Sequence, residues 1–382
     1  MDFDFSNEQK QLREQARRFL AEQCDRDAVR AVLDGPQPYD RELWQGLGEL
    51  GYLGATIPEA FGGIGAGYLE ACVLAEELGR VVAPVPFSSS IALAAECLML
   101  AGTPAQKQRW LPLLASGKAI GTLAVTERPG RMTPGAILTS AADRGGDLVL
   151  DGVKLPVADG DIADFAVVLA RDAGSAGDEA RASLYLVELD AAGVGRRVVE
   201  TVDPTRSHAR LAFEAAPAEP LGPAGQGPAI LAQVYDRAAI LVAFEQLGGA
   251  DRALEMACDY ARERFAFGRP IGSQQAIKHM LADMYVAATL ARSNCYYGAW
   301  ALSSGADELP QAAATARVSA TQAFQQCARD NIQVHGGMGF TWAFDCHLYY
   351  RRANLLALGL GPLSEWEGRL IERLAAARGA AS

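Results

Sequence analysis

The apolar residues of this chain change period twice, near residue 119 and again near residue 228. That double switch constrains the fold more than any single motif. Up to 119 they recur at helical spacing. Ser6-Asn7-Glu8-Gln9 supplies cap-type residues before Leu12, Ala16, Phe19 and Leu20, and Asp40-Arg41-Glu42-Leu43-Trp44 opens a second helix. Helical periods resume over 69–78 and 90–100. Between the first helices and these, 51–67 is rich in glycine, contains Pro58 and is expected to be loop. From 120 to 228, short β-branched and apolar runs take over. Leu148-Val149-Leu150, Asp151-Gly152 and Val153-Lys154-Leu155 read as a hairpin. The runs 165–170, 182–189, 196–202 and 209–213 read as further strands, with a surface loop over 171–181. From 229 the helical period returns. Leu241, Phe244, Leu247, Leu254, Ala257, Ala261 and Phe265 form the stripe of a bundle helix. Inside it, Gly248-Gly249 costs about 1 kcal/mol per glycine, a sign that another backbone or a ligand comes close. Residues 274–303 and 310–334 are two more long amphipathic helices. The expected fold is α+β multidomain: an N-terminal α-helical domain (1–119), a central β-barrel or sandwich domain (120–228) and a C-terminal helical bundle (229–382).

Charge and cysteine usage narrow the function classes. The net charge of −11 over 382 residues argues against a nucleic-acid footprint, which needs a basic face. It leaves room for a local basic pocket. No apolar run is expected to span a membrane. Met1-Asp2-Phe3-Asp4-Phe5 is acidic and lacks the basic-then-apolar order of a signal peptide. The seven cysteines are scattered and form no Cys-x-x-Cys pair. Reduced thiols filling the core of a cytoplasmic protein are expected. Cys346-His347 with His335 upstream lacks the further ligands of a metal cluster, so no metal site is expected.

Two segments carry the chemistry. Arg264-Phe265-Ala266-Phe267-Gly268-Arg269-Pro270-Ile271, followed by Gln274-Gln275-Ala276-Ile277, supplies a guanidinium, an aromatic face and an amide. Asn331-Ile332-Gln333-Val334-His335-Gly336-Gly337-Met338-Gly339-Phe340 supplies an amide and close-set glycines. A guanidinium gives a diphosphate a forked, charge-assisted contact. Glycines let backbone N–H groups approach an anion without side-chain obstruction. With Ile57-Pro58-Glu59-Ala60-Phe61-Gly62-Gly63, Glu76-Glu77-Leu78-Gly79 and Val125-Thr126-Glu127, these segments resemble the acyl-CoA dehydrogenase family of flavoproteins over essentially the whole chain. The resemblance implies a C-terminal four-helix bundle and FAD as cofactor. Thr126 would meet the flavin ring, and Arg264, Phe267, Gln275, Gln333, Gly336 and Gly337 would hold the pyrophosphate and adenosine of a neighbouring subunit's FAD. It also implies an acyl-CoA substrate, α,β-desaturation of the thioester, an electron-transferring flavoprotein as acceptor, and an oligomer.

The resemblance breaks at the ring side. The family's usual catalytic glutamate falls where this chain reads Leu360-Gly361-Pro362, and the family's second location for the base aligns with Ala238. The Trp-Ile-Thr/Ser segment appears as Pro156-Val157-Ala158, and the Gly-Ser-Asp after the Thr-Glu-Pro turn has become a stretch around Arg131-Met132-Thr133-Pro134. Glu245, two turns beyond Ala238 among Leu241, Phe244 and Leu247, is the expected substitute base. A structural glutamate paired with an arginine in the bundle is the competing reading. Asp236 is expected as a cap-region acid before the helix, Asp345 as a partner of Arg351 or Arg352, His335 as a local hydrogen-bonding group, and Arg206 in a solvated turn. Three functions follow. The chain is an active dehydrogenase of fatty or steroid side-chain acyl-CoA, or one subunit of a hetero-oligomer whose partner completes the site. Alternatively it acts on a carrier-protein thioester.

Overall fold

The computed structural model describes residues 5–128, 136–172, 174, 175 and 181–380. The altered stretch at 131–134 and residues 173 and 176–180 of the expected surface loop lie outside the described residues. Helices α1 (Asn7–Gln23), α2 (Arg26–Asp34), α3 (Arg41–Glu49) and α4 (Tyr68–Arg80) come first. A short α5 (Phe87–Ser89) runs through a π-helical stretch, Ser90–Ala95, into α6 (Glu96–Ala101), and α7 (Pro104–Ala115) follows. Strands β1 (Gly121–Ala124), β2 (Ser140–Arg144), β3 (Asp147–Ala158), β4 (Phe165–Arg171), β5 (Ala182–Glu188), β6 (Val194–Val198), β7 (His208–Pro217) and β8 (Glu219–Leu221) come next. Then come α8 (Gly227–Glu263), the two-stranded β9 (Phe265–Ala266) and β10 (Arg269–Pro270), α9 (Gln275–Ser304), α10 (Leu309–His335), α11 (Cys346–Leu358) and α12 (Leu363–Ala380). This is the helical, sheet, helical order of the expected fold.

Local signals explain where several elements begin. Ser6 closes a capping box on α1: its hydroxyl accepts from the Gln9 N–H while the Gln9 amide oxygen accepts from the Ser6 N–H. Thr103 and Gln106 repeat the device on α7, with Pro104 at the first helical position. The expected Asp151-Gly152 hairpin is corrected. β3 runs unbroken through both residues, and the turn lies earlier, at Gly145-Gly146, where φ is 75° and 100°. Gly152 instead sits at a register shift of β3 against β7, with φ 147° and Thr139 where a side chain would go. An Asp-Gly pair fits a hairpin turn or a bulge, and the two-glycine alternative six residues upstream took the turn.

The chain divides into two compact units. One comprises 32–66 and 84–238, with a mixed eight-stranded sheet ordered β6-β7-β3-β2-β4-β5-β8 and β1 parallel to β4. β4 and β5 are buried almost throughout, as strands covered on both faces are. The other comprises 1–31, 67–83 and 239–382. There α4 crosses α8 at two glycines. A Cβ on Gly248 would lie 1.9 Å from the Glu76 carbonyl oxygen, and one on Gly79 would lie 1.9 Å from that of Glu245. A Cβ on Gly249 would strike the Phe324 ring of α10 at 2.4 Å. Gly248 is there because backbone meets backbone, and Gly249 because a ring packs on the helix. One expectation needs correcting: α8 is long and apolar enough to cross a membrane by length and composition. Most of that stretch is buried within the protein, so its apolar surface is already used for packing.

Gly248→Ala gains helix propensity of about 1 kcal/mol but forces two backbones apart, at an overpacking cost of roughly 1–3 kcal/mol or more. A net loss on the order of 2 kcal/mol is expected in denaturant unfolding. Gly337→Ala, with nothing within 4 Å of the new carbon, should leave the same transition unmoved.

Candidate functional site

The dinucleotide-type residues gather at one end of the second unit. Helix α8 stops at Glu263, and Arg264 follows as an exposed residue whose N–H still bonds the Tyr260 carbonyl. The Ile271 N–H donates to the Arg264 carbonyl at 2.8 Å, closing the β9–β10 hairpin back on the helix end. The hairpin turn is Phe267-Gly268, with φ 53° and 76°. Two positive φ values make a type I′ turn, which suits a two-residue hairpin but strains a phenylalanine. Phe267 is 97% exposed. Arg269 donates to the Gln274 amide oxygen at 2.7 Å, tying the hairpin to the start of α9, where Gln275 is the first residue and exposed. The first turn of α9 has no side-chain cap, so its amide groups stay open to an acceptor.

The second segment ends α10. Gln333, Gly336 and Gly337 are exposed. Gly336 has φ 58° and ψ −138°, a conformation only glycine adopts readily, and neither glycine has anything near its missing side chain. Gly339 differs: a Cβ there would meet the Ile332 carbonyl at 2.6 Å, so it serves the fold of the turn.

What joins the two segments is aromatic. The Tyr260 ring, one turn before Arg264, stacks on His335 with centroids 4.1 Å apart, and Phe344 meets both rings edge-on. The His335 Nδ1 lies 2.9 Å from the Asn331 carbonyl, the local bond expected of it. Burial pushes its pKa down from the usual histidine value, against the opposing pull of that carbonyl, so the ring is neutral near pH 7. The Arg264 and Gln333 side chains make no hydrogen bond to each other. Both point to solvent from helix ends that are packed together. Neither Tyr260 nor Phe344 was singled out in the sequence, though an aromatic one turn before the guanidinium was a usable signal.

The other unit presents Thr126. Its carbonyl accepts from the Leu155 N–H at 2.8 Å, while its hydroxyl and N–H have no partner among the described residues. Lys154, fully buried, donates to the Val125 carbonyl at 3.0 Å and to Glu127 at 2.7 Å. Burial pushes the Lys154 ammonium down to about 8. Burial also opposes ionisation of Glu127, yet Lys154 and the Thr139 and Leu138 amides together hold its carboxyl below the usual range. Nearby, Val157 is buried, and the Ala158 carbonyl accepts from the Thr122 hydroxyl at 2.6 Å.

The acids and bases expected around the reaction centre are mostly engaged. Glu245 is 2% exposed and accepts from Arg352 at 3.3 Å, while Arg352 also donates to the Val82 and Ala83 carbonyls. Arg317, equally buried, donates to the Gln246 amide oxygen at 2.6 Å and to the Leu356 carbonyl. Leu360 is buried, with its carbonyl held by the Trp366 indole at 3.0 Å. Ala238 is buried. Three expectations are corrected. Asp236 is not before the helix but ten residues into α8, which starts earlier than the apolar stripe suggested. Asp345 pairs with Arg30 at 2.8 Å, not with Arg351 or Arg352, because α2 brings an arginine to the start of α11. Arg206 is buried, 6% exposed, rather than solvated. Its neighbours include Asp159, whose carboxyl accepts from Ser89 at 2.5 Å and from Ser207 at 3.3 Å. Among the described residues no group of three His, Cys, Asp or Glu could hold a metal ion. A cavity of about 280 Å³ is lined by Arg17, Arg80, Arg252, Asp345 and Tyr349, and neither by Glu245 nor by any of the residues expected to bind the cofactor.

Comparison with known proteins bears on this geometry. Three family models match in succession: the acyl-CoA dehydrogenase N-terminal domain over 6–118, the middle domain over 122–216 and the C-terminal domain over 225–373. The chain belongs to the acyl-CoA dehydrogenase family. It is 36% identical to the acyl-CoA dehydrogenase IpdE2 of Mycobacterium tuberculosis over 368 residues, 96% of each chain. Among solved structures it is similar to a variant of the Tcur3481–Tcur3483 steroid ACAD, with 31% identity, a TM-score of 0.85 and coverage of 98% and 99%. It is also similar to the ChsE4–ChsE5 complex of Mycobacterium tuberculosis, with 29% identity, a TM-score of 0.88 and the same coverage. Family members are oxidoreductases, and the chain is an enzyme of that class.

Because His335 titrates below its unfolded value, the native state binds fewer protons than the unfolded chain just below pH 6.5. The stabilisation is complete above about pH 6.5 and is lost as pH falls through the folded value. Urea midpoints between pH 7.5 and 5 should fall with acid in the native protein. His335→Leu should flatten that slope.

Proposed function

We propose that the chain is an FAD-binding acyl-CoA dehydrogenase subunit acting in α,β-desaturation of an acyl thioester, with electrons leaving to an electron-transferring flavoprotein. The observation that carries this is the Tyr260–His335 stack, which presents Arg264, Phe267 and Gln275 beside Gln333, Gly336 and Gly337. The residues fit the cofactor. Exposed Arg264 suits a diphosphate, the open glycines admit an anion at backbone distance, and the exposed Phe267 ring offers a flat apolar face. On the other unit, the free Thr126 hydroxyl and N–H suit the edge of a planar heterocycle. When bound, FAD would supply the two-electron acceptor for the hydride leaving the β-carbon. Bulky steroid-type acyl groups are the proposed substrates, from the similarity to the steroid ACAD.

The thioester's α-proton needs a carboxylate in a dry site. Leu360 cannot take it, and Glu245 is held by Arg352. These observations favour a refinement: the base comes from a second acyl-CoA dehydrogenase chain, and this chain supplies the grip on the dinucleotide. The exposed Phe267, Phe340 and Arg264 suit a site finished by another subunit.

The test is the flavin absorption spectrum of the chain alone and co-expressed with such a second chain. Sub-stoichiometric flavin alone, and full occupancy bleached by acyl-CoA in the mixture, is the expected result. Full occupancy and turnover by the lone chain would overturn the refinement. Arg264→Ala should weaken FAD binding roughly tenfold or more, since a charge-assisted bond contributes about 1.5–3 kcal/mol. Glu245→Gln should lower stability by about 3 kcal/mol, the scale for breaking a buried pair, while bleaching persists. Loss of bleaching at unchanged stability would instead make Glu245 the base.

A further inference from the structure

The segment 125–127 is fixed at three successive residues, all within the sheet-containing unit. Lys154 reaches the Val125 carbonyl, the Leu155 N–H reaches the Thr126 carbonyl, and the Glu127 carboxylate accepts from Lys154, Leu138 and Thr139. Among the described residues the Thr126 hydroxyl and N–H have no partner. Strand β3 is arranged to make this possible. Lys154 is the last residue paired with β7, opposite Leu211, before the register shifts ahead of Val157. At that shift Leu155 turns its N–H from the ladder to Thr126. The ammonium therefore enters the core from a strand position that would ordinarily carry an apolar side chain, since its neighbours Leu150 and Val157 are fully buried.

A buried ion pair is a poor source of stability, because desolvation offsets most of the attraction and an apolar pair of similar volume does as well. Here the pair does something an apolar pair cannot. It fixes a carbonyl and a carboxylate on either side of Thr126 with directional bonds. We propose that Lys154 and Glu127 are positioning residues that set the orientation of Thr126 toward the isoalloxazine edge of a bound flavin. The inference rests on the reading that this segment meets the flavin. Lys154 sits near its ionisation range in this setting, which is consistent with a charge retained for its geometry at some cost.

Removing one partner strands the other, so the decisive variant changes both. Lys154→Met with Glu127→Gln deletes the charges while leaving an acceptor for the Leu138 and Thr139 amides. In the FAD-loaded assembly, the double variant should keep the native circular dichroism and melting profile. It should bind FAD at least tenfold more weakly by flavin fluorescence, with displaced visible absorption bands. Lys154→Arg, which keeps the charge, should bind FAD more tightly than the double variant, and Glu127→Gln alone serves if the double variant does not fold. Wild-type affinity and bands in the double variant, or in a folded Glu127→Gln protein where the double variant does not fold, would overturn the proposal. Thr126→Val separates the two levels. If it leaves the flavin bands unchanged, the ring does not meet this segment, and the underlying reading fails along with the inference.

Discussion

The crossing of α4 and α8 sets the geometry of the unit that carries the dinucleotide-type residues. Gly79 and Gly248 bring the two backbones closer than any side chain allows, and the charges beside them hold the crossing in register. Glu76 accepts from Arg13 of α1 and Arg292 of α9, and Glu77 from Arg17 of α1. Glu255 of α8 accepts both nitrogens of Arg80. Bidentate, partly buried pairs of this kind add direction more than energy. Because α8 is one continuous helix, fixing it at Gly248 also fixes where it ends, four turns later, at the residue before Arg264.

From that constraint the chemistry of the C-terminal end follows. A helix aimed by backbone contact delivers Tyr260 against His335, and the stack lets two loops converge without a direct bond between their functional side chains. Arg264 and Gln333 can then remain solvated and still share an end of the bundle. The same α8 carries Glu245, whose backbone carbonyl lies against Gly79 and whose carboxylate pairs with Arg352, an arrangement that holds α11 and the end of α4.

Much of this was legible in the sequence, and the misses share a cause. Helix periods, the Ser6 box and the glycine pair were readable because each depends on residues close in the chain. Gly248-Gly249 could be flagged as a close approach, but not against which helix. Asp345 was given a neighbour in sequence and found one in Arg30, 315 residues away. The Asp151-Gly152 turn failed because turn propensity is local, while a bulge is decided by the strand opposite. Lys154 and Glu127 were each visible, but a pairing between residues 27 apart leaves no local trace.

The asymmetry between the two halves of the candidate site is itself informative. The residues proposed for the diphosphate end stand on unusual backbone, a positive φ at Phe267 and a glycine-only conformation at Gly336. At Phe267 the left-handed backbone costs about 1–3 kcal/mol and persists only where the surroundings enforce it, whereas glycine takes its turn without that cost. At the position of the missing base, Leu360 is a core residue whose carbonyl is satisfied by an indole, and Gly361 beside it also has a positive φ, 97°. On the function proposed above, the exposed turns at Phe267 and Gly336 hold the dinucleotide, and the carboxylate that position 360 lacks comes from another chain.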